Sequence, residues 1–178
     1  MKSAVSILVF IFVATAAHAQ EKITLSELKY LLSPEVKNKD LDSIVLKLGY
    51  GFKKIEKWPA QTNLHYHNKY SKSDKRYSTL DVSILLLDDN KFYISYTSRS
   101  MDDIQNILKE VVTDSAYKSN NVYLSHYNQA DQFLGKEYKN EVYSIGSMKF
   151  DNKTGVDYSV FMSLNDEYKK TIVLPSPQ

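Results

Sequence analysis

The chain has no cysteine. That absence excludes disulfides, cysteine-ligated zinc, thiol nucleophiles and a lipid attached through a thiol. Glycine and proline are also scarce, five and four in 178 residues. No glycine-rich phosphate loop exists: Gly49-Tyr50-Gly51 follows a helical pattern and precedes a strand, the reverse of a dinucleotide-binding turn. Charge of neither sign accumulates. With a formal net charge of +2 and no block of like charge, neither nucleic acid nor an anionic membrane is an expected partner. Catalytic patterns are missing as well. There is no Gly-x-Ser-x-Gly elbow, and no spacing of serines, histidines and acids marks a triad. Asp88-Asp89 and Asp102-Asp103 read as a turn and a helix start, not as the paired acids of a glycosidase. The expectation is a protein that is not an enzyme and needs no cofactor.

Only one long hydrophobic run is present, and it stands at the start. Lys2 precedes an apolar stretch from Ala4 to Ala17, and Ala17-His18-Ala19 has the small-x-small form of a cleavage site. The run is too short for a typical membrane span of roughly 20 apolar residues. Residues 1–19 are therefore expected to be a signal peptide, cut between Ala19 and Gln20, with no stable membrane anchor afterwards. Export without disulfides suits a bacterial periplasm or secreted fraction.

What the sequence does have is tyrosine, 14 against seven phenylalanines and one tryptophan. That density suits strands with one wet face, or a contact surface. Periodicity then divides the chain. Thr24-Leu25-Ser26-Glu27 has capping-box form, and Leu25, Leu28, Leu31 and Leu32 follow on one helical face before Ser33-Pro34. Asp40 is expected to cap a second helix, with Leu41, Ile44, Val45 and Leu48 inward and Gly49 as its stop. Strands are expected over Tyr50–Trp58, Asn63–Tyr70, Leu80–Leu87 and Phe92–Thr97. Ser100 and Asp103 resemble a capping signal for a third helix, whose stripe is Ile104, Ile107, Leu108, Val111 and Val112. Further strands fall at Val122–Tyr127, Gln132–Tyr138, Glu141–Phe150 and Val156–Leu164, with Gly146 as a candidate bulge.

The two halves share an order. Asp40-Leu41, Ile44-Val45 and Leu48 match Asp103-Ile104, Ile107-Leu108 and Val111, and Tyr50, Leu80 and Phe92 then fall against Tyr117, Val142 and Tyr158 at a similar offset. The expected fold class is α+β, a tandem duplication of a helix plus a four-stranded antiparallel sheet with the helices on one sheet face. The units are 20–99 and 100–164, followed by a polar tail at 165–178. In element order and export signal the chain resembles the β-lactamase-inhibitor-protein and PepSY-like exported proteins. The resemblance implies a binding or inhibitory module that leaves one sheet face free.

Strand alternation proposes that face. With Val82, Ile84, Leu86, Phe92, Ile94 and Tyr96 inward, Leu85, Leu87 and Tyr93 point outward. Placing Val142, Met148, Phe150, Tyr158, Val160 and Met162 inward sends Tyr143, Ile145 and Phe161 outward. So apolar a face is either covered by the C-terminal tail or another sheet, or is an interface; in the second case Leu85, Leu87, Tyr93, Tyr143, Ile145 and Phe161 are the expected binding residues, facing an unknown protein or peptide. His65 and His67 share a strand face, so a small metal-dependent protein or enzyme centred on them is the competing reading, with His126 as the candidate third ligand.

Overall fold

In a computed structural model, residues 22–85, 90–125, 132–152 and 155–165 are described, without the side chains of 120–125, 132–135 and 152. The expected leader and nearly all of the tail lie outside these residues, as do Leu87 and His126. The elements are helices α1 (Leu25–Leu32) and α2 (Asn38–Lys47), strands β1 (Tyr50–Lys57), β2 (Gln61–Asn68), β3 (Ser78–Leu85) and β4 (Lys91–Ser98), helix α3 (Met101–Thr113), and strands β5 (Lys118–Ser125), β6 (Gln132–Lys139), β7 (Tyr143–Asn152) and β8 (Gly155–Leu164).

Local chemistry accounts for the helices, with three corrections. At α1 the capping box forms: Glu27 N donates to Thr24 Oγ1 at 3.2 Å, and Thr24 N donates to Glu27 Oε2 at 2.7 Å. Leu25, Leu28, Leu31 and Leu32 are buried. Asp40 does not cap α2. The helix begins at Asn38, Lys37 occupies the cap position without a side-chain bond, and Asp40 sits in the first turn, where a negative charge suits the helix dipole. Gly49 closes α2 with φ +85°, a conformation that costs glycine nothing. Ser100 stands at the α3 cap but makes no side-chain cap bond. Its expected partner Asp103 instead accepts from Ser98 Oγ at 2.9 Å and pairs with Lys22 at 3.2 Å. In the α3 stripe Ile104, Ile107 and Val111 are buried, while Val112 is 62% exposed.

All strands join one antiparallel sheet in the order β1-β2-β3-β4-β8-β7-β6-β5. Two four-stranded meanders therefore meet at their last strands, and β4·β8 is the seam. Directly opposed residues in antiparallel strands share a face. Leu80, Tyr96 and Val160 form one such row, and Val82, Ile94, Met162 and Ile145 another. These side chains are buried with the leucines of α1, with Leu41 and Val45 of α2, and with Ile107 and Val111 of α3, in one core on the helix side of the sheet. Tyr50 packs edge-on against Tyr96 with ring centroids 6.5 Å apart, and its hydroxyl shares a 2.7 Å hydrogen bond with Ser78 Oγ.

Register corrects three expectations. A shift between Ser83 and Ile84 sets Ile84 opposite Lys91 and leaves Phe92 without a partner. Lys91 is thus buried, its ammonium donating to the Val36 carbonyl, in the place expected for Phe92. The phase of β7 is also opposite to that expected. Ile145 pairs with Met162 and Tyr143 with Leu164, so both face the helices, whereas Met148 and Phe150 lie opposite Ser159 and Asp157 on the other side. Thirdly, Gly146 is no bulge, because pairing runs regularly from Tyr143 to Asn152. Its reason is steric: a Cβ there would stand 2.3 Å from Cζ of Phe161, the cross-strand neighbour whose ring covers it. Gly146→Ala is expected to cost about 1–3 kcal/mol by displacing that ring. In a Phe161→Ala background most of the cost should vanish, a double-mutant cycle readable by urea denaturation.

Candidate functional site

The sheet face away from the helices is built from the alternate residues. Across its centre the register aligns His65, Asp81, Ser95, Phe161 and Gly146. The row beside it contains Asn63, Ser83, Tyr93, Ser163 and Ser144, and the row on the other side contains His67, Thr79, Thr97, Ser159 and Met148. Small hydroxyl side chains therefore pave the middle. Ser83, Ser95 and Ser159 are buried there beneath their larger neighbours. Thr97 Oγ1 donates to Ser159 Oγ at 3.0 Å, and Ser159 Oγ to the Tyr96 carbonyl at 3.2 Å, which holds these hydroxyls in fixed positions.

A polar ladder crosses the four strands of the first half. Asp81 Oδ1 lies 2.7 Å from His65 Nδ1, and Glu56 Oε2 lies 3.3 Å from His65 Nε2. Ser95 Oγ extends the ladder to Asp81 Oδ2 at 3.4 Å, and Lys54 hydrogen-bonds Glu56. The bond to Asp81 and the charges of Asp81 and Glu56 raise the His65 pKa above its ordinary value, although partial burial and Lys54 oppose them. The Lys54 bond, followed by the charge of His65, holds the Glu56 carboxyl below its usual range.

The sign of the resulting pH dependence is definite. For His65 the folded-state pKa is the higher one. Its contribution to stability is complete below the unfolded value of 6.5 and lost as the pH rises through the folded-state value above it. Glu56 behaves oppositely, contributing above its unfolded value of 4.5 and losing that contribution as the pH falls through the lowered one. Urea midpoints measured upward from pH 6 should therefore decline for the native chain and decline less for His65→Gln. An identical slope in the two proteins would remove His65 as the cause.

Sequence reasoning found part of this face. Leu85, Tyr93 and Phe161 occupy it and are partly buried. Tyr143 and Ile145 do not: both lie on the helix side, Ile145 is fully buried, and neither is available to a partner at the open face. Leu87 is outside the described residues. His65 and His67 do share the open face, as their spacing implies. However, both ring nitrogens of His65 face carboxylates, and His67 Nδ1 is bonded to the Asn68 carbonyl at 2.7 Å. Among the described residues no three histidine or acidic groups converge in a metal-binding arrangement. Glu56, Asp81 and Ser95 were not legible as partners of His65, since only strand register brings these distant positions together. The chain matches no protein-family model, no curated protein and no solved structure.

Proposed function

We propose that the chain is an exported, non-catalytic module of the bacterial envelope that binds a protein or peptide, inhibitor-like or immunity-like, through the open face of its sheet. One observation carries this reading. All described helices stand on the opposite face, and the open one presents Tyr93, Phe161, Leu85, Met148 and Phe150 around a floor of fixed hydroxyls. Aromatic rings supply contact area at little rotamer cost. The small floor residues let a protruding segment approach the backbone, and the His65 ladder adds charged groups at one side. The meeting of two meanders at β4·β8 supports units 20–99 and 100–164 as a tandem duplication. No described helix is long and apolar enough to cross a membrane.

The test is affinity capture from an envelope extract, comparing the native protein with Tyr93→Ala/Phe161→Ala after both are shown to be equally folded. The expected result is a stoichiometric partner retained by the first and lost by the second. Equal retention would place binding elsewhere, and failure of either protein to retain a partner would contradict the reading.

A further inference from the structure

The helix side of the molecule carries a separate cleft of about 290 Å³. Its walls come from the loop between β2 and β3, from the segment before α1, and from the start of α3. Tyr70, Lys75 and Arg76 line one side, Lys22 and Ser100 the other, and Tyr96 and Asp103 complete it. We propose that this cleft is a binding site for a carboxylate group. It lies on the side opposite the open sheet face and does not depend on the function proposed for that face.

Three features select the ligand class. The first is a preorganised guanidinium. Asp74 accepts from Arg76 Nε at 3.0 Å and from Nη2 at 2.8 Å, while the Tyr70 ring centroid lies 4.0 Å from Arg76 Cζ. This holds one edge of the fork and one face of the plane, and it leaves Nη1 outside the Asp74 pair. Second, positive charge is in excess. Lys22, Lys75 and Arg76 line the cleft, and two carboxylates offset them, Asp103 paired with Lys22 and Asp74 with Arg76. Lys75 pairs with no carboxylate among the described residues, and Ser100 spends no side-chain bond on capping α3. An incoming oxyanion therefore meets an ammonium, a guanidinium edge and a hydroxyl.

The third feature is Asp103 itself. Fixed in the cleft by Ser98, Tyr96 and Lys22, it leaves, together with Asp74, an excess of one positive charge, which a monoanion balances and a dianion overshoots. A carboxylate is favoured over a phosphate on that ground. The volume is near the lower end for small-molecule sites, about 300–1,000 Å³. It accepts the end of a molecule, either a free small carboxylate or the C-terminus of a peptide.

Amide chemical shifts of the folded protein can be followed during titration with acetate, an N-acetylated tripeptide, the same peptide amidated, and inorganic phosphate. Saturable shifts at Ser100 and Asp103 are expected with both carboxylates. Amidation of the peptide, Lys75→Ala and Arg76→Gln should each weaken peptide binding roughly tenfold, the loss of one charge-assisted hydrogen bond. Tighter binding of the peptide than of acetate would identify a chain terminus as the source, and equal binding a free small acid; both support the carboxylate site. The proposal is overturned if neither carboxylate gives saturation by about 20 mM, a concentration that would detect even millimolar affinity. Tighter binding of phosphate, or unchanged affinity in both exposed-loop variants, would also overturn it.

Discussion

Tyr96→Ala is expected to lose about 3–5 kcal/mol of stability, as truncation of a large buried aromatic does, whereas Tyr93→Ala should lose less than about 1 kcal/mol. The two tyrosines stand three residues apart on β4 and face opposite ways. Tyr96 is 1% exposed, opposes Val160 at the seam and packs against Tyr50. Its hydroxyl reaches Asp103 of α3 at 3.4 Å, and burial drives its pKa well above the ordinary tyrosine range. Removing the ring leaves a cavity between the sheet and α3, because packed surroundings relax only partially. Tyr93 opposes Ser83 and Ser163 on the open face, so its truncation leaves no enclosed void. For a chain of this size the first variant should melt roughly 6–20 °C lower. Equal losses in the two variants would mean that the faces of β4 are wrongly assigned.

Ile145→Asp should be more damaging still. The side chain is fully buried, and its cross-strand neighbours, Met162 and Tyr138, offer no cation to meet a carboxylate there. Burying an unpaired charge costs several kcal/mol, comparable with the roughly 5–15 kcal/mol that holds a whole domain together. Loss of the cooperative urea transition is expected. On the same strand, Met148→Asp faces away from the helices and should change stability by no more than about 1 kcal/mol. Circular dichroism on the pair reads the phase of β7 directly. A folded Ile145→Asp beside an unfolded Met148→Asp would reverse that phase.

These two strands show where the sequence is legible and where it is not. Elements announced by their own periodicity form in the expected order, including the short α1 with its capping box and every strand of the sheet. Faces are legible where one phase holds the apolar residues, as with Val82, Ile84, Val160 and Met162, all of which point inward. On β7 both phases carry them: Ile145 on one, Met148 and Phe150 on the other. Pairing of Asn152 with Gly155 fixes the register instead, and alternation along β7 alone contains no information about it. Phe92 fails for a related reason. A one-residue bulge moves Lys91 inward, and a buried lysine held by the Val36 carbonyl leaves no mark in a hydropathy pattern. Loss of Tyr143 and Ile145 from the expected contact set follows from that single phase. The His65 ladder is assembled from β1, β2, β3 and β4, so only its two-histidine spacing was visible.

The open face is less apolar than alternation suggested, because its floor is serine and threonine and its charged groups gather around His65. Such a floor suits a partner that brings both hydrogen-bonding backbone and an apolar contact to Tyr93 and Phe161.

Site-specific photocrosslinking in the producing cell tests that assignment most directly. A benzophenone side chain is placed at Tyr93 or Phe161 on the open face, and at Leu46 or Val112, which are 66% and 62% exposed on α2 and α3. The account predicts one discrete partner adduct from the two sheet positions and none from the two helix positions. Adducts from the helix positions alone would contradict it.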